Sequence, residues 1–173
     1  MKKLLFLLFT GSLVGSCIPD EDVPIEPAIT FKEYRFSQED LGGVPTDFFY
    51  ITFEYIDGDG DIGMNEDEDH IPGHPDVKHN LFVDYYEERD DSFITGVECA
   101  IGGKIETKKY YFKSITPEGN NKSIQGEMTV KVETCEGARD TTKNIKYSFY
   151  IVDRKLNYSN VEETPVIPYT IQK

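Results

Sequence analysis

The sequence predicts an all-β fold, a sandwich of seven to eight antiparallel strands, with an antiparallel barrel as the alternative. Three observations lead to this prediction. Apolar and aromatic residues alternate with polar ones in successive short segments, which is typical of half-buried strands. Turn-forming clusters such as residues 117–121 separate these segments. No segment has the 3.6-residue apolar period of an amphipathic helix.

The individual strands are predicted from this alternation together with their content of β-branched and aromatic residues. In chain order they cover residues 29–36, 48–56, 80–87, 92–100, 107–115, 124–132, 145–152 and 166–171. The pattern is weakest in 92–100 and cleanest in 145–152, where every second residue from Ile145 to Ile151 is apolar. Pro168 lies inside the last segment, so that segment is predicted to be an edge strand or to contain a bulge.

The N-terminus has the three parts of an export signal. Two lysines follow Met1, residues 4–10 are almost entirely apolar, and small residues at 14–16 lead directly into Cys17. This arrangement resembles a bacterial lipoprotein signal, and the resemblance implies cleavage after residue 16 and lipidation of Cys17. An ordinary signal peptide or a membrane anchor is the alternative. The apolar run is shorter than the roughly 20 residues that a spanning helix needs.

Residues 17–28 are predicted to be a disordered tether, and residues 29–173 to form the folded domain. The tether is rich in proline and acidic residues and cannot form a core. Its acidic residues just after Cys17 resemble the surface-export signal of lipoproteins in the Bacteroidota. The expected location is therefore the outer membrane, with the protein held there by its lipid and exposed on the cell surface.

The charge and the cysteines narrow the classes of partner. With 32 acidic and 18 basic residues the chain has a net charge of −14, which argues against binding to nucleic acid or anionic lipid. If Cys17 carries the lipid, Cys99 and Cys135 remain as an even pair in an oxidising compartment. We expect a disulfide between them. The alternative is two separate buried thiols.

The most specific motif is the alternation of aspartate and glycine directly after the second predicted strand. The intervening glycines allow the backbone to bend until Asp57, Asp59 and Asp61 converge, and calcium prefers several oxygen ligands in a flexible shell. The spacing resembles an EF-hand loop, but Ile62 occupies the position that requires glycine and the flanking segments are strands, so an EF-hand is excluded. A calcium loop between strands is one reading, and a hydrated acidic turn is the other.

Two further segments contain ligand-type residues. Asp153 and Asn157 follow the strand 145–152. In an immunoglobulin-like sandwich the loop after this strand lies at the same end as the Asp-Gly loop, so both residues are candidates for the same calcium site. Asp153 capping a local turn or pairing with a neighbouring cation is the alternative. The three histidines, His70, His74 and His79, suggest a transition-metal site, but intervening prolines and glycine favour a mobile surface loop.

Three stretches, residues 53–63, 116–126 and 147–160, together resemble uncharacterised envelope lipoproteins of the Bacteroidota. The last also resembles the final hairpin of bacterial immunoglobulin-like domains. The resemblance implies an immunoglobulin-like sandwich and no established activity. No hydrolase, phosphate-binding or redox motif occurs, so we expect no enzyme.

We therefore expect a lipid-anchored envelope module, stabilised by calcium, that binds an envelope protein or glycan. A purely structural protein is one alternative. A carbohydrate-binding or carbohydrate-active module is the other, because Tyr85–Tyr86 and Tyr110–Tyr111 occur in pairs.

Overall fold

The computed structural model describes residues 23–64, 70–96, 107–115, 117, 122–134 and 143–170. This part of the chain contains β-strands and no helix. The strands are β1 (Ala28–Asp40), β2 (Pro45–Asp57), β3 (Leu81–Arg89), β4 (Ser92–Ile94), β5 (Lys108–Tyr110), β6 (Ile124–Glu133), β7 (Lys143–Ile151), β8 (Glu162–Glu163) and β9 (Ile167–Tyr169).

The strands form two open antiparallel sheets. The first has the order β1-β2-β6, and the second has the order β4-β3-β7-β8, with β5 also paired to β3 and β9 to β7. This corresponds to the A-B-E and C′-C-F-G sheets of an immunoglobulin-like sandwich. The predicted fold class is confirmed: the strands form two open sheets rather than the alternative antiparallel barrel.

The core lies between the inner faces of β2 in one sheet and of β3 and β7 in the other. Alternation along β2 and β7 turns large apolar side chains inward, and Phe53 and Phe149 meet with their ring centroids 5.2 Å apart. Phe49 and Tyr147 meet in the same way at 5.6 Å. Each fully buried side chain of this size contributes about 1.5–3 kcal/mol by leaving water, so this interface holds the two sheets together.

Three predicted strands, 92–100, 107–115 and 166–171, are shorter in the structure. The segment predicted as 92–100 forms a strand only at β4, and residues 97–100 lie outside the described residues. The segment 107–115 forms a strand only at β5. Its continuation leaves the ladder because the backbone N–H of Phe112 donates to the side chain of Asn80 at 2.9 Å. Pro168 lies in β9, which pairs with β7 alone within the described chain, as expected for an edge strand.

The end of the predicted tether belongs to the fold. β1 begins at Ala28, Pro27 is buried, and the carbonyl of Pro24 accepts a hydrogen bond from the N–H of Gly58 at 2.9 Å. Cys17, Cys99 and Cys135 lie outside the described residues, so lipidation and the disulfide stay predictions.

Candidate metal site

Asp57 and Asp153 extend the buried faces of two facing strands. The inward positions of β2 are residues 49, 51, 53 and 55, and Asp57 is the next in this series. Asp153 follows Ile151 of β7 in the same way. Because successive side chains of a strand point to opposite faces, both carboxylates point to the inside at one end of the sandwich. Neither residue exposes any surface to solvent.

Close backbone approach folds the loop after β2 so that Asp59 and Asp61 come to the same place. Gly60 has a left-handed φ of +68°, and a Cβ there would lie 2.1 Å from the carbonyl oxygen of Lys122. A Cβ on Gly58 would lie 2.2 Å from the carbonyl oxygen of Val23. Any larger residue would therefore push the loop away from its neighbours.

The structure brings four carboxylates together. Asp57, Asp59, Asp61 and Asp153 each offer one oxygen, and these oxygens lie within 4.8 Å of one another. The Oδ1 atoms of the first three are buried and accept no hydrogen bond. A buried polar atom without a partner costs about 1–3 kcal/mol, and more when it is charged. We call these four residues the aspartate cluster.

The second oxygen of each loop aspartate is held in place. Asp57 Oδ2 accepts the backbone N–H of Asp61 at 2.8 Å. Lys155 Nζ contacts Oδ2 of Asp59 and, at 3.2 Å, Oδ2 of Asp61. In all three residues, therefore, one oxygen is anchored and the other is buried and free to bind a ligand.

Asp153 is oriented by a tight turn. Its Oδ1 accepts the backbone N–H groups of Lys155 and Asn157, both at 2.8 Å, and the Asn157 side-chain amide donates to its Oδ2 at 2.7 Å. Leu156 within this turn has a left-handed φ of 65°. Asp153 thus caps the turn and also belongs to the cluster, while Asn157, predicted as a ligand, positions Asp153.

Arg154 ties the two loops together. Its Nε and its backbone N–H both donate to the carbonyl oxygen of Asp61, at 3.1 and 3.2 Å. The sequence reasoning did not identify Arg154 as part of the site. The only available signal was its position next to Asp153.

The electrostatics of the aspartate cluster indicate a shortage of positive charge. Burial, together with repulsion from the other three carboxylates, raises the pKa of Asp57 to about 6, although the Asp61 N–H opposes the shift. Burial and the charges of Asp153 and Asp59 also raise the pKa of Asp61, against the effect of Lys155. The hydrogen bonds from Lys155 to Asp59 and Asp61 raise the pKa of that ammonium.

The donor set fits a hard divalent cation. All four cluster ligands are carboxylates, and calcium takes six to eight oxygens at about 2.3–2.6 Å. Two oxygens on opposite sides of such an ion are about 5 Å apart, so four oxygens that all lie within 4.8 Å of one another are close enough to share one ion. Nitrogen or sulfur ligands, which transition metals prefer, are absent from it.

The histidines do not form a comparable group. Among the described residues the aspartate cluster is the only set of three or more potential metal-ligating side chains. The expected mobile loop is partly anchored. Ile71 is fully buried, and its N–H donates to the carbonyl of Val77 at 2.7 Å.

The paired tyrosines do not form a flat aromatic platform. Tyr85 is buried in the core, whereas Tyr86 lies on the outer face beneath the ammonium of Lys146. Tyr111 is 66% exposed. No ring contact joins Tyr86 to Tyr111 in the described part of the chain. The expected sign of a sugar-stacking surface is therefore missing there.

Comparison with known proteins gives no relative: no family model, curated protein or solved structure matches this chain. Within the described ranges, no helix is long and apolar enough to cross a membrane.

Proposed function

We propose that this protein is a lipid-anchored module of the outer cell envelope whose aspartate cluster binds calcium. The observation that carries the proposal is the set of three buried Oδ1 atoms, in Asp57, Asp59 and Asp61, that accept no hydrogen bond. A calcium ion would satisfy all three and relieve the repulsion between the carboxylates.

The charges of the aspartate cluster are too crowded for the partners they have. Four carboxylates converge, and Lys155 is the ion-pair partner described for the cluster. Lys155 neutralises one charge at the Oδ2 atoms of Asp59 and Asp61, and the buried Oδ1 atoms keep no partner. Buried charges are normally paired or coordinate a metal, so a second source of positive charge is needed.

The envelope setting supports calcium in particular. The export signal and the cysteine after it favour a protein that works outside the cytoplasm. Extracellular calcium modules bind with dissociation constants of about 10⁻⁴–10⁻³ M, so a site of modest affinity is filled there. The ion would hold the loops after β2 and β7 together, and these loops form the surface with which the module contacts an envelope protein or glycan.

The test is calcium titration of the protein without its signal, residues 17–173. At a calcium concentration ten times the dissociation constant, linkage predicts about 1.4 kcal/mol of added stability, or about 3–6 °C in Tm for a domain of this size. Magnesium, which demands a stricter octahedral shell, should raise Tm less. An absence of calcium heat in calorimetry together with an unchanged Tm would refute the calcium site.

The anchor is tested separately in cells. Cys17→Ala should release the protein from the membrane fraction, and Ser92→Ala, at an exposed position of β4, serves as the control that leaves the signal and the predicted disulfide intact. If the Cys17→Ala protein stays membrane-bound and is processed as before, the lipid anchor is wrong.

A further inference from the structure

Lys155 has an unusual position relative to the aspartate cluster. Its ammonium contacts Oδ2 of Asp59 and of Asp61, whereas the buried oxygens without partners are the Oδ1 atoms of these residues. The Lys155 side chain is 59% exposed, and the two carboxylates are only 18% and 13% exposed. The ammonium therefore covers the cluster from the solvent side.

We propose that Lys155 is a built-in counter-cation, which partly neutralises the cluster in the metal-free protein and is released when a divalent cation binds. This inference rests on the proposed calcium site. Lys155 would then control the affinity of the cluster for metal ions, because an ion that displaces the ammonium must supply more than its single positive charge. The site therefore selects divalent over monovalent cations.

Release of Lys155 needs little structural change. The side chain reaches the cluster from solvent on a flexible stem, and breaking an exposed ion pair lowers affinity by about fivefold at most. The loop keeps its shape without it, because Arg154 holds the Asp61 carbonyl through two hydrogen bonds and the Asp61 N–H holds Asp57. The backbone of the site therefore does not depend on the lysine.

A bound metal would repel the ammonium. Charges of +1 and +2 at about 5 Å, even in the dielectric of water, oppose each other enough to weaken binding about tenfold. Breaking the Lys155 ion pair weakens binding by less than this factor, so the ammonium should leave when the ion binds. Moving it into solvent gives the ammonium back its hydration and removes the repulsion.

The experiment compares calcium dissociation constants of the wild type, Lys155→Met and Lys155→Arg by calorimetry. Lys155→Met should bind calcium about two- to fivefold more tightly, because the wild type must first break the Lys155 ion pair, while its Tm in EDTA is lower than that of the wild type. Lys155→Arg retains the charge and should remain near the wild type. Lys146→Met is the matched control: Lys146 also pairs with a carboxylate, Glu163, but lies about 17 Å before the end of β7, and its loss should not change affinity.

A second measurement detects release directly in the unmodified protein. Acylation of individual lysines, followed by mass spectrometry, should show Lys155 reacting several-fold faster with calcium than in EDTA, and Lys146 reacting equally in both. This readout also serves if Lys155→Met does not fold.

The outcomes separate the two proposals. Equal calcium affinity in the wild type and Lys155→Met, with no change in Lys155 acylation, would overturn the counter-cation role and leave the calcium site intact. Failure of both proteins to bind calcium would overturn the calcium site itself.

Discussion

Replacement of Asp57 by asparagine should have opposite effects with and without calcium. Asparagine has nearly the same shape, and its Oδ1 can accept the hydrogen bond from the Asp61 N–H that Asp57 accepts at 2.8 Å. Its NH₂ group would then face the remaining carboxylates and donate to them. Without metal the substitution thus replaces a repulsive contact by an attractive one.

The size of the effect follows from the pKa of this carboxyl group. A pKa of about 6, against 3.8 for an ordinary aspartic acid, corresponds to about 3 kcal/mol of destabilisation at neutral pH. This is an upper limit, because the new amide must also be accommodated. We expect Asp57→Asn to be about 1–3 kcal/mol more stable than the wild type in EDTA, and to lose most of the stabilisation by calcium.

Urea unfolding at pH 7.5, in EDTA and in millimolar calcium, measures both effects on one protein. Asp76→Asn is the matched control, since Asp76 is an exposed aspartate in another loop and its replacement changes the net charge equally. The control should behave like the wild type in both conditions. If Asp57→Asn is less stable than the wild type in EDTA, or gains as much from calcium, the argument from crowded carboxylates is refuted.

Three further predictions concern the core, the loop and pH. Tyr147→Phe removes a buried hydroxyl without a partner and should add about 1 kcal/mol of stability in urea unfolding; an unchanged or lower midpoint would contradict this. Gly60→Ala should lower the free energy of unfolding by about 2 kcal/mol and weaken calcium binding. Gly42→Ala is the control, because Gly42 has the same φ of +68° but no atom within 4 Å of an added Cβ, and it should lower the free energy of unfolding by only about 1 kcal/mol. Equal losses in the two variants would show that the close approach at Gly60 is unimportant. Because the folded-state pKa of Asp57 is raised, its protonated form stabilises the metal-free fold below about pH 4, and this contribution is lost as the pH rises through about 6. Protons and calcium compete for this carboxylate, so the Tm gain from calcium should shrink between pH 7 and pH 5, and a gain that is constant with pH would contradict its role as a ligand.

The alternation of apolar residues was sufficient to predict the central strands. β2 and β7 carry their signal in their own sequence, since one face of each must be apolar to form the core. The short strand β8 carries no such signal. Its place is fixed by partners distant in sequence: the carboxylate of Glu162 accepts the N–H of Phe31 at 3.0 Å, and the hydroxyl of Thr164 accepts the N–H of Tyr147 at 3.0 Å.

The meeting of Asp57 with Asp153 was also predictable, because two facts in the sequence combine. Each residue continues the inward series of a core strand, and in an immunoglobulin-like sandwich the loops after these two strands share one end. The contact with Lys155 was not predictable in the same way. It depends on the rotamer of a long side chain that reaches residues more than ninety positions away.

The choice between a metal loop and a hydrated acidic turn depends on single atoms rather than on the motif. In a hydrated turn, repulsion would direct the carboxylates outward, where water donates hydrogen bonds to them. Here two donors prevent the carboxylates from turning outward. The backbone N–H of Asp61 and the side-chain ammonium of Lys155 hold the Oδ2 atoms, and the Oδ1 atoms are left buried without a partner. A fold that confines three charged oxygens in this way must supply a cation, protonate one carboxyl group, or lose stability. The raised pKa of Asp57 is the sign of that conflict in the metal-free protein, and the asparagine substitution measures its size.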